Sequence, residues 1–508
     1  MALVILELFP GEAPMAEPFE TVIGLEVHVQ LLTKTKLFCG CRTKFGAPPN
    51  SQVCPVCLGM PGVLPVMNRL AFELSVRAAL ALNCSIASFT KWDRKNYYYP
   101  DLPKNYQVSQ YDLPFSSEGW LEINAAADLK KEYVAKKVGI IRAHLEEDAG
   151  KSMHDESGKG ADSKVDLNRT GTPLLEIVSH PQLSSAEEAR SYLEELRLLL
   201  REIGVSDCEM QEGSLRCDAN VNVKVPVNGE WIPTPIVEVK NLNSIGAVER
   251  SIRYEAQRQF EQFQKDQKRL EPGNKTTAGW NDARGTTKVQ RTKEESADYR
   301  YFPEPDLVPV VVSAAEIETA RNAMGELPAQ QRKRLQEAPI ALSAYDAGVL
   351  TSQGRRVVAY FERVASKTGD AKAACNWVAN DVLASLKDRS EAIDAFPVSA
   401  DRLGCLVLEV KKTGLPMNKA REVYASMLND GGEAGEVMKK LGFQVVSDEG
   451  QLRDLIRKAI GANAQAAADY KAGKVKAADR IKGMVMKETK GMANAETVNR
   501  LLIEELSK

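Results

Sequence analysis

The sequence predicts an α+β protein whose strand-containing first part is followed by a helical remainder. Residues 19 to about 310 are rich in Gly, Pro, Asn and aromatic residues, and they contain short β-type runs such as 21–31 and 221–227. After residue 309, Ala, Leu, Glu and Lys become frequent and strand-like runs become rare. Because 508 residues exceed the size of one ordinary domain, we expect roughly two to four domains.

These changes in composition set the expected domain limits. We expect residues 1–18 to be a disordered leader, with Met15 as a candidate start, and residues 19–310 to form the domain that carries the chemistry. Residues 311–395 are expected to form a helical linker domain, and residues 396–508 a second helical domain.

Charge and hydropathy exclude several classes of protein. The 67 basic and 69 acidic residues leave a net charge of -2, so any contact with RNA needs a local basic patch. No apolar run reaches the ~18 residues that a membrane span needs, and the first residues resemble neither a signal peptide nor a transit peptide. Nine cysteines are too few for a disulfide scaffold in a chain of this length. We therefore expect a cytoplasmic protein with reduced thiols and no membrane partner.

The first predicted strand, TVIGLEVHVQL, has an unusual polar face. The strand period of two places alternate residues on one face: Val22, Gly24, Glu26, His28 and Gln30. A polar face is uncommon in a core strand and is typical of a binding or catalytic site.

A helix is predicted directly after Ser185. Ser185 and Glu188 form a capping-box pattern, and apolar residues then repeat at helical spacing up to Ile203, where Gly204 ends the helix. By contrast, residues 262–293 are polar and Gly-rich, so we expect a mobile loop there.

Four of the nine cysteines lie close together in the sequence, as Cys39, Cys41, Cys54 and Cys57. Two close pairs separated by 12 residues suit tetrahedral Zn²⁺ with four thiolate ligands. We predict a structural zinc knuckle, and the alternative is four unrelated thiols. The other cysteines are expected to be buried small hydrophobic residues: Cys84, Cys208, Cys217, Cys375 and Cys405.

Carboxylates and imidazoles recur together in β-type runs. Oxygen ligands of this kind suit Mg²⁺ and its bound phosphates, and such an ion neutralises charge during phosphoryl transfer. Taken singly, each acid is more typical of a solvated or ion-paired residue, but burying an unpaired charge is expensive. The sequence has no P-loop and no Rossmann fingerprint, so ATP, if used, binds to neither. The residues concerned are Glu26, His28, His144, Glu146, Glu147, Asp148, Glu176 and Glu238.

Two further segments contain side chains suited to phosphates or bases. Residues 91–107 interleave cations with Trp92 and tyrosines, which suits a nucleotide or an RNA end, although a packing loop has the same composition. Residues 240–244 precede a predicted helix with Asn and Ser, which are usually caps, although a helix start can also hold phosphate.

Basic residues concentrate near the C-terminus. Between Asp469 and Lys490, seven cations stand against three acids. Such a patch is typical of an RNA backbone site, and the alternative is a solvated helix face. The residues singled out for RNA binding are Lys471, Lys474, Lys476, Arg480 and Lys482.

Together these segments resemble the GatB/GatE family, the B-type subunits of tRNA-dependent Asp/Glu amidotransferases. The resemblance covers residues 19–307 with few gaps, and a tail from about residue 360 resembles a YqeY-like domain. The stretches that carry it include IGLEVHVQL, KNYYYPDLPKNYQVSQYD, HLEEDAGK, DLNRTGTPLLEIVS, GSLRCDANVNV, EVKNLNSIGAVERSI, DYRYFPEPDL and DYKAGKVKA.

The resemblance implies a fold, a reaction and partners. It implies a glutamine synthetase-like catalytic domain followed by helical and YqeY-like tail domains, the tail binding misacylated tRNA. It implies that ATP phosphorylates the side-chain carboxylate of Glu or Asp esterified to tRNA, and that ammonia then displaces phosphate. The implied partners are a GatA-type glutaminase, which supplies ammonia, and a GatC-type subunit, in a heterotrimer. The implied cofactors are ATP, Mg²⁺ and structural Zn²⁺.

The resemblance also assigns residues. Glu147 matches a position at the metal and the mouth of an ammonia tunnel, and Lys95 matches a tunnel-gating lysine, so both are predicted to be catalytic. Our hypothesis is that Glu26, His28 and Glu147 hold Mg²⁺ at the phosphoryl-transfer site. The complete set of implied Mg²⁺ positions is Glu26, His28, Glu147, Glu176 and Glu238.

Two other classes of protein remain open. A non-catalytic tRNA-binding module would explain the basic tail but gives no reason to collect acids. A standalone ligase of the glutamine synthetase kind would explain the acids but not the tail. The sequence does not distinguish Glu-tRNA from Asp-tRNA as the substrate.

Overall fold

The computed structural model describes residues 18–126, 132–154, 163–292, 299–443, 449–471, 474, 476–489, 493 and 495–507. The chain divides into two compact units, Met1–Gln330 and Gln331–Lys508. The expected leader, apart from its last residue, lies outside the described residues.

Strands are concentrated in the first unit, as predicted. Over the described residues they are β1 (Glu20–Gln30), β2 (Ser85–Ile86), β3 (Phe89–Thr90), β4 (Asp93–Asn96), β5 (Tyr106–Ser109), β6 (Ser116–Asn124), β7 (Ala135–Glu147), β8 (Lys151–His154), β9 (Ser163–Asp166), β10 (Pro173–Ser179), β11 (Leu215–Val227), β12 (Glu230–Pro233), β13 (Val237–Leu242), β14 (Thr276–Asn281), β15 (Thr286–Thr292), β16 (Phe302–Pro303) and β17 (Val310–Val311). Within that part of the chain, ten strands form one sheet in the order β15-β14-β13-β11-β1-β10-β7-β6-β2, and β12 pairs with β11. Its pairs are antiparallel except β13 with β14, which run parallel.

Helices occur in both units. They are α1 (Arg69–Ala81), α2 (Ala186–Glu202), α3 (Ile245–Asp266), α4 (Ala314–Asn322), α5 (Pro328–Gln336), α6 (Ala344–Thr351), α7 (Arg355–Thr368), α8 (Ala371–Trp377), α9 (Leu383–Arg389), α10 (Ala400–Thr413), α11 (Met417–Asn429), α12 (Ala434–Lys440), α13 (Glu449–Ala462), α14 (Ala464–Lys471), α15 (Ala477–Glu488) and α16 (Ala495–Leu506). A π-helical turn at Val378–Val382 joins α8 to α9, and a 3-10 turn spans Ile393–Ala395.

The core of the first unit lies on one face of the central strand β1. Ile23, Leu25, Val27 and Val29 are all buried and belong to one apolar cluster with residues of α1, α2 and α3. Their β-branched and leucine side chains fit a pleated, buried face. Because strand side chains alternate, the other face of β1 is left to Glu26, His28 and their neighbours.

Helix α2 begins where the sequence predicts it. The Ser185 hydroxyl accepts a hydrogen bond from the Glu188 amide at 3.1 Å. The Glu188 carboxylate instead accepts hydrogen bonds from the Ser184 amide and Lys136, so half of the predicted capping box is present. Gly204 follows the helix in the left-handed conformation, with φ of +68°.

The expected mobile loop over residues 262–293 is wrong for most of its described length, since only 267–275 and the turn 282–285 lie outside helix and strand, and residue 293 lies outside the described residues. Helix α3 continues to Asp266, and β14 and β15 then form a hairpin at the sheet edge, with β14 parallel to β13. The hairpin is anchored by Trp280, which is 3% exposed and packs on Tyr254 of α3. Polar composition suggested a loop because most of the other hairpin side chains face outward.

The units do not follow the expected domain limits closely. The first unit continues past residue 310 because Ile317, Ala320 and Leu327 pack on its core. In the second unit, one apolar cluster runs from Leu335 to Met438, across the expected limit at 395, and another covers residues 452–506. Among the described helices, none combines the length and the apolar character needed to cross a bilayer.

Candidate active site

Acidic and imidazole side chains from adjacent strands meet on the polar face of the sheet. His28 of β1 lies opposite Glu176 of β10, and Glu176 lies opposite His144 of β7. On the other side, Glu26 lies opposite Asp218 of β11. Directly opposite side chains are about 5 Å apart, so this register brings together residues far apart in sequence.

Two groups of three side chains share Glu176. In the first, His28 Nε2 lies 3.5 Å from Glu26 Oε1 and 3.4 Å from Glu176 Oε2. In the second, His144 Nε2 lies 3.9 Å from Glu146 Oε2 and 3.7 Å from Glu176 Oε2. The three ligand atoms of each group lie within 4.8 Å of one another, which is close enough for one metal ion.

Two buried atoms of this group have no hydrogen-bond partner in the described part of the chain. They are Glu146 Oε2 and His144 Nδ1, and both residues are 3% exposed. Buried polar atoms are rarely left unpaired, so a free carboxylate oxygen here fits a metal ligand. The donor set of carboxylates and imidazoles fits Mg²⁺ or a similar divalent cation.

The pKa values record crowding of negative charge. Burial, and next the charge of Glu176, raises the pKa of Glu146 to about 7. Burial lowers the pKa of His28, but the hydrogen bond and charge of Glu176 outweigh it and raise that pKa to about 9. Burial lowers the pKa of His144 to about 4. Burial, and next the negative charge of Glu176, also raises the pKa of Glu26. A bound cation would relieve the repulsion between these carboxylates.

The structure places Glu147 apart from the group that contains Glu26 and His28, and the hypothesis that these three residues hold one ion stays a prediction. Along β7, His144 and Glu146 point to the polar face, and the strand period turns Glu147 to the opposite face. There the Glu147 carboxylate pairs with Lys104 and accepts a hydrogen bond from the Val108 amide at 3.1 Å. The neighbouring glutamate, Glu146, lies with His144 and Glu176 instead.

Glu238, another predicted Mg²⁺ position, is held by lysines. Its two carboxylate oxygens lie 2.7 Å from Lys240 and 3.2 Å from Lys275. Lys240 also pairs with Asp218. Glu238 therefore borders the same cavity as Glu26 and Glu176 but belongs to neither three-residue group.

The polar face opens into a cavity of about 280 Å³ that also contains cations and tyrosines. The Lys95 ammonium lies 5.1 Å from the ring centre of Tyr299, and Tyr111 stacks on Tyr301 at 3.9 Å. Burial lowers the pKa of Lys95, but Glu146 and further groups outweigh it and raise that pKa. The cations that line the cavity are Lys95, Arg142, Lys240 and Lys275.

Residues 91–107 therefore contain both a packing residue and a residue that lines the cavity, the two roles that their composition allowed. Trp92 is 1% exposed and packs on Phe38, which is a packing role. Lys95, three residues later, reaches the cavity. Residues 240–244 also have two roles: Ser244 caps helix α3, whereas Lys240 lines the cavity.

Two charged residues of the cavity, Arg142 and Lys275, were not predicted from the sequence. Arg142 lies two residues before His144 on β7, so the period of two that marks the polar face would have found it. Lys275 precedes the hairpin that was expected to be a loop, and no local pattern indicates it.

A buried ion pair supports the polar face at the ends of the strands. Asp148, 3% exposed, accepts two hydrogen bonds from the Arg216 guanidinium, at 2.9 and 3.1 Å, and one from Gln30 at 2.7 Å. Burial raises the pKa of Asp148, but Arg216 and Arg169 outweigh it and lower that pKa.

The four cysteines singled out by spacing lie together. Their sulfur atoms are all within 4.8 Å of one another, which fits tetrahedral Zn²⁺. Cys57 Sγ accepts hydrogen bonds from the Cys54 amide at 3.2 Å and from Lys36 Nζ at 3.5 Å. A hydrogen bond from Cys39 lowers the pKa of Cys57 to about 4, although burial opposes it, so a thiolate is favoured. Of the other five cysteines, four are buried and Cys405 is half-buried.

The basic residues of the tail are mostly exposed. Lys471, Lys476 and Arg480 are exposed, and Lys482 is half-buried. Lys474 is exposed too, and its ammonium lies 3.2 Å from Asp469.

The fold and site define a class of protein with a cluster of carboxylates and imidazoles on a mixed sheet, a four-thiol cluster and a helical unit. The family model described as the GatB/GatE catalytic domain matches residues 21–318, and the model described as the GatB domain matches residues 359–506. The chain therefore belongs to the GatB family.

Similar proteins match along nearly the whole chain. A protein of Rhodopirellula baltica is 51% identical over 491 residues, which is 97% of each chain. Proteins of Caldanaerobacter subterraneus and Moorella thermoacetica are each 48% identical, over 96% of this chain and 100% of theirs. All three are named as the B subunit of an aspartyl/glutamyl-tRNA(Asn/Gln) amidotransferase.

Proposed function

We propose that this protein is the B subunit of a tRNA-dependent amidotransferase. It converts Glu on tRNA(Gln), Asp on tRNA(Asn), or both, to the amide in an ATP-dependent reaction. Membership of the GatB family and the names of its relatives support the reaction class. The observation that carries the chemistry is a cavity lined by four cations and by members of both carboxylate–imidazole groups, namely Glu26, His144 and Glu176.

The metal-holding residues in this proposal are Glu26, His28, Glu146 and Glu176. When bound there, Mg²⁺ would supply positive charge that neutralises the negative charge developing during phosphoryl transfer. Glu146 replaces Glu147 in this set because only Glu146 shares the face of Glu176 and leaves an oxygen unpaired. Glu238 acts through the lysines that it holds.

The cations of the cavity bind the anionic groups of the substrates. Lys95, Arg142 and Lys275 lie around the acidic group and suit phosphate oxygens and the carboxylate that is phosphorylated. The carboxylate oxygen attacks the γ-phosphorus and ADP leaves, which produces an acyl phosphate. Fixed positive charge stabilises the negative charge that develops on the transferred group.

In the second step, ammonia attacks the acyl carbon, phosphate leaves with the C–O bond electrons, and a proton lost from nitrogen completes the amide. A carboxylate alone is a poor acyl donor, so phosphorylation supplies the leaving group. We assign Glu147 and Lys104 to the ammonia route, because Glu147 lies on the opposite face of β7 from the cation group. A GatA-type glutaminase supplies the ammonia and a GatC-type subunit completes the heterotrimer, in the cytoplasm.

The helical tail docks the tRNA in this proposal, through the exposed cations near α14 and α15. Structural Zn²⁺ is held by the four cysteines, which fit it by number and proximity. The alternative, a tRNA-binding module without chemistry, leaves the buried acids on the sheet without a purpose.

The test is amidation of Glu-tRNA(Gln) by the complete enzyme with ATP and ammonium chloride. Glu176→Gln removes the carboxylate shared by both groups, and kcat is expected to fall at least about 100-fold because several kcal/mol of charge stabilisation are lost. Glu230→Gln, an exposed change on β12 of the same sheet, serves as the matched control and should retain activity. Wild-type enzyme that binds this tRNA but consumes no ATP would instead favour the binding module.

A further inference from the structure

The cysteine knuckle touches the side chain of Lys104 directly. Gly59 follows Cys57 by two residues and has a φ of +66°. A Cβ atom placed on Gly59 would lie 2.4 Å from Cγ of Lys104 and 3.2 Å from its Cβ. The backbone of the knuckle turn therefore packs against the stem of the lysine, with no room for a side chain between them.

A second contact joins the knuckle to Glu147. A Cβ atom on Gly171 would lie 3.6 Å from both Cys57 Cβ and Glu147 Oε1. The backbone of Gly171 therefore lies between Cys57 and Glu147. The Gly171 carbonyl accepts a hydrogen bond from the Leu37 amide at 2.8 Å, which ties the glycine, just before β10, to the segment that follows β1.

A buried lysine connects the same cluster. Lys36 is 1% exposed, and its ammonium lies 3.5 Å from both Cys57 Sγ and the Leu167 carbonyl. A buried lysine head group needs polar partners, and the Cys57 sulfur and the Leu167 carbonyl supply them. Lys36 therefore links the knuckle to the segment before β10 by hydrogen bonds as well as by packing.

The pair that receives these contacts is itself nearly buried. The side chains of Lys104 and Glu147 are 9% and 5% exposed. A buried ion pair is sensitive to geometry, because displacing one partner leaves the other charge uncompensated.

We propose that the cysteine knuckle is a positioning element for the Lys104–Glu147 pair, acting through Gly59 and Gly171. The metal-binding turn fixes the lysine stem, and Gly171 transmits the position of Cys57 to the glutamate. The consequence for amidation rests on the function proposed for this pair, whereas the positioning itself does not.

The test measures the reactivity of Lys104 in the full-length chain. Gly59→Ala introduces a methyl group against the Lys104 stem, and Gly62→Ala is the matched control, since Gly62 also has a positive φ (+86°) but faces open space. Acetic anhydride labelling, read by peptide mass spectrometry, is expected to rise at least about tenfold at Lys104 in Gly59→Ala, with bound zinc retained, because the ion pair is broken. Gly62→Ala should label Lys104 like the wild type. Equal labelling in Gly59→Ala and Gly62→Ala would overturn the proposal.

Removal of the metal provides a second measurement that does not depend on Gly59→Ala folding. Zinc chelation of the wild-type protein should raise labelling at Lys104 but not at Lys137, which lies on β7 with its ammonium over Trp120. Unchanged Lys104 labelling after proven zinc loss would also overturn the proposal.

In the complete enzyme, Gly59→Ala should raise the KM for ammonium while tRNA-dependent ADP release continues at the wild-type rate. A wild-type enzyme without any amidation would refute the proposed function and leave the labelling result valid.

Discussion

Glu146 and Glu147 are adjacent in sequence yet face opposite sides of the sheet. The strand period of two sends the first to the cation group around Glu176 and the second to Lys104 beside the cysteine knuckle. Two neighbouring residues of β7 therefore carry the carboxylate that we propose for the metal and the carboxylate that we propose for the ammonia route.

We expect Glu146→Gln and Glu147→Gln to affect cation binding differently. Glu146→Gln removes an unpaired buried oxygen of the cation group and should weaken Mn²⁺ binding at least about tenfold. Glu147→Gln should leave the dissociation constant for Mn²⁺ within about twofold of the wild-type value, because the Glu147 carboxylate does not face the group around Glu176. Isothermal titration calorimetry with Mn²⁺ checks both. Stronger loss in Glu147→Gln would restore the original sequence hypothesis.

Asp148 gives a pH-dependent contribution to stability. Its pKa is held below the ordinary 3.8, so the stabilisation is complete above about pH 4 and disappears as the pH falls through the folded-state pKa. Asp148→Asn should lower the free energy of unfolding by about 3 kcal/mol at pH 7. Urea unfolding at several pH values should show this difference shrinking below pH 4. A difference that is constant from pH 7 to pH 3 would argue against the ion pair as its source.

At the residue scale, the sequence predicts which side chains share a strand face but not which strands meet. Alternation places Glu26 and His28 together, and spacing brings the four cysteines together. The approach of His144 and Glu176 depends on the order β1-β10-β7, which is set by pairing between distant segments. Lys275 was missed for the same reason.

At the scale of elements, β1 and α2 were predictable because each has a strong local pattern. The apolar face of β1 and the Ser185 cap of α2 do not depend on distant residues. The hairpin β14–β15 lacks such a pattern, since it exists through pairing with β13 and through one buried tryptophan. Strand formation depends on neighbouring strands more than helix formation does.

The hairpin gives a test of this view. Trp280→Ala should lower the free energy of unfolding by about 3–5 kcal/mol, because a nearly buried indole is removed from its packing on α3. Val289→Ala on β15, where the side chain is 58% exposed, is the control and should cost less than about 1 kcal/mol. Hydrogen exchange should increase in residues 276–292 for Trp280→Ala. Equal effects of the two changes would mean that the tryptophan does not anchor the hairpin.

At the scale of the molecule, composition predicted a strand-containing part followed by helices. The described residues after the change in composition at residue 309 are mostly helical. The first unit nevertheless ends later, because the helix Ala314–Asn322 and the residues after it pack on its core. The limit could not be read from composition, since a helix packed on a sheet has the same residue types as one packed on helices. The likeness to glutamine synthetase stays a prediction.

The tail gives a prediction about the whole enzyme and tRNA. Lys476→Gln combined with Arg480→Gln should weaken tRNA binding and reduce the slope of log K against log salt by about one for each phosphate that the variant no longer binds. Lys458→Gln, an exposed change on α13 outside the basic segment, should leave the slope unchanged. Fluorescence anisotropy at several salt concentrations checks this. An unchanged slope in the double variant would place the tRNA elsewhere.

We propose that this chain itself phosphorylates the aminoacyl group on the polar face of its sheet. The most direct measurement omits ammonia and traps the acyl phosphate formed from ATP and Glu-tRNA(Gln) with hydroxylamine, which yields a hydroxamate on the tRNA. We expect ATP-dependent hydroxamate with the wild-type enzyme and none with Glu176→Gln, which lacks the carboxylate common to both carboxylate–imidazole groups. Formation of hydroxamate at the wild-type rate by Glu176→Gln would mean that phosphorylation does not depend on this carboxylate and would refute the proposed site.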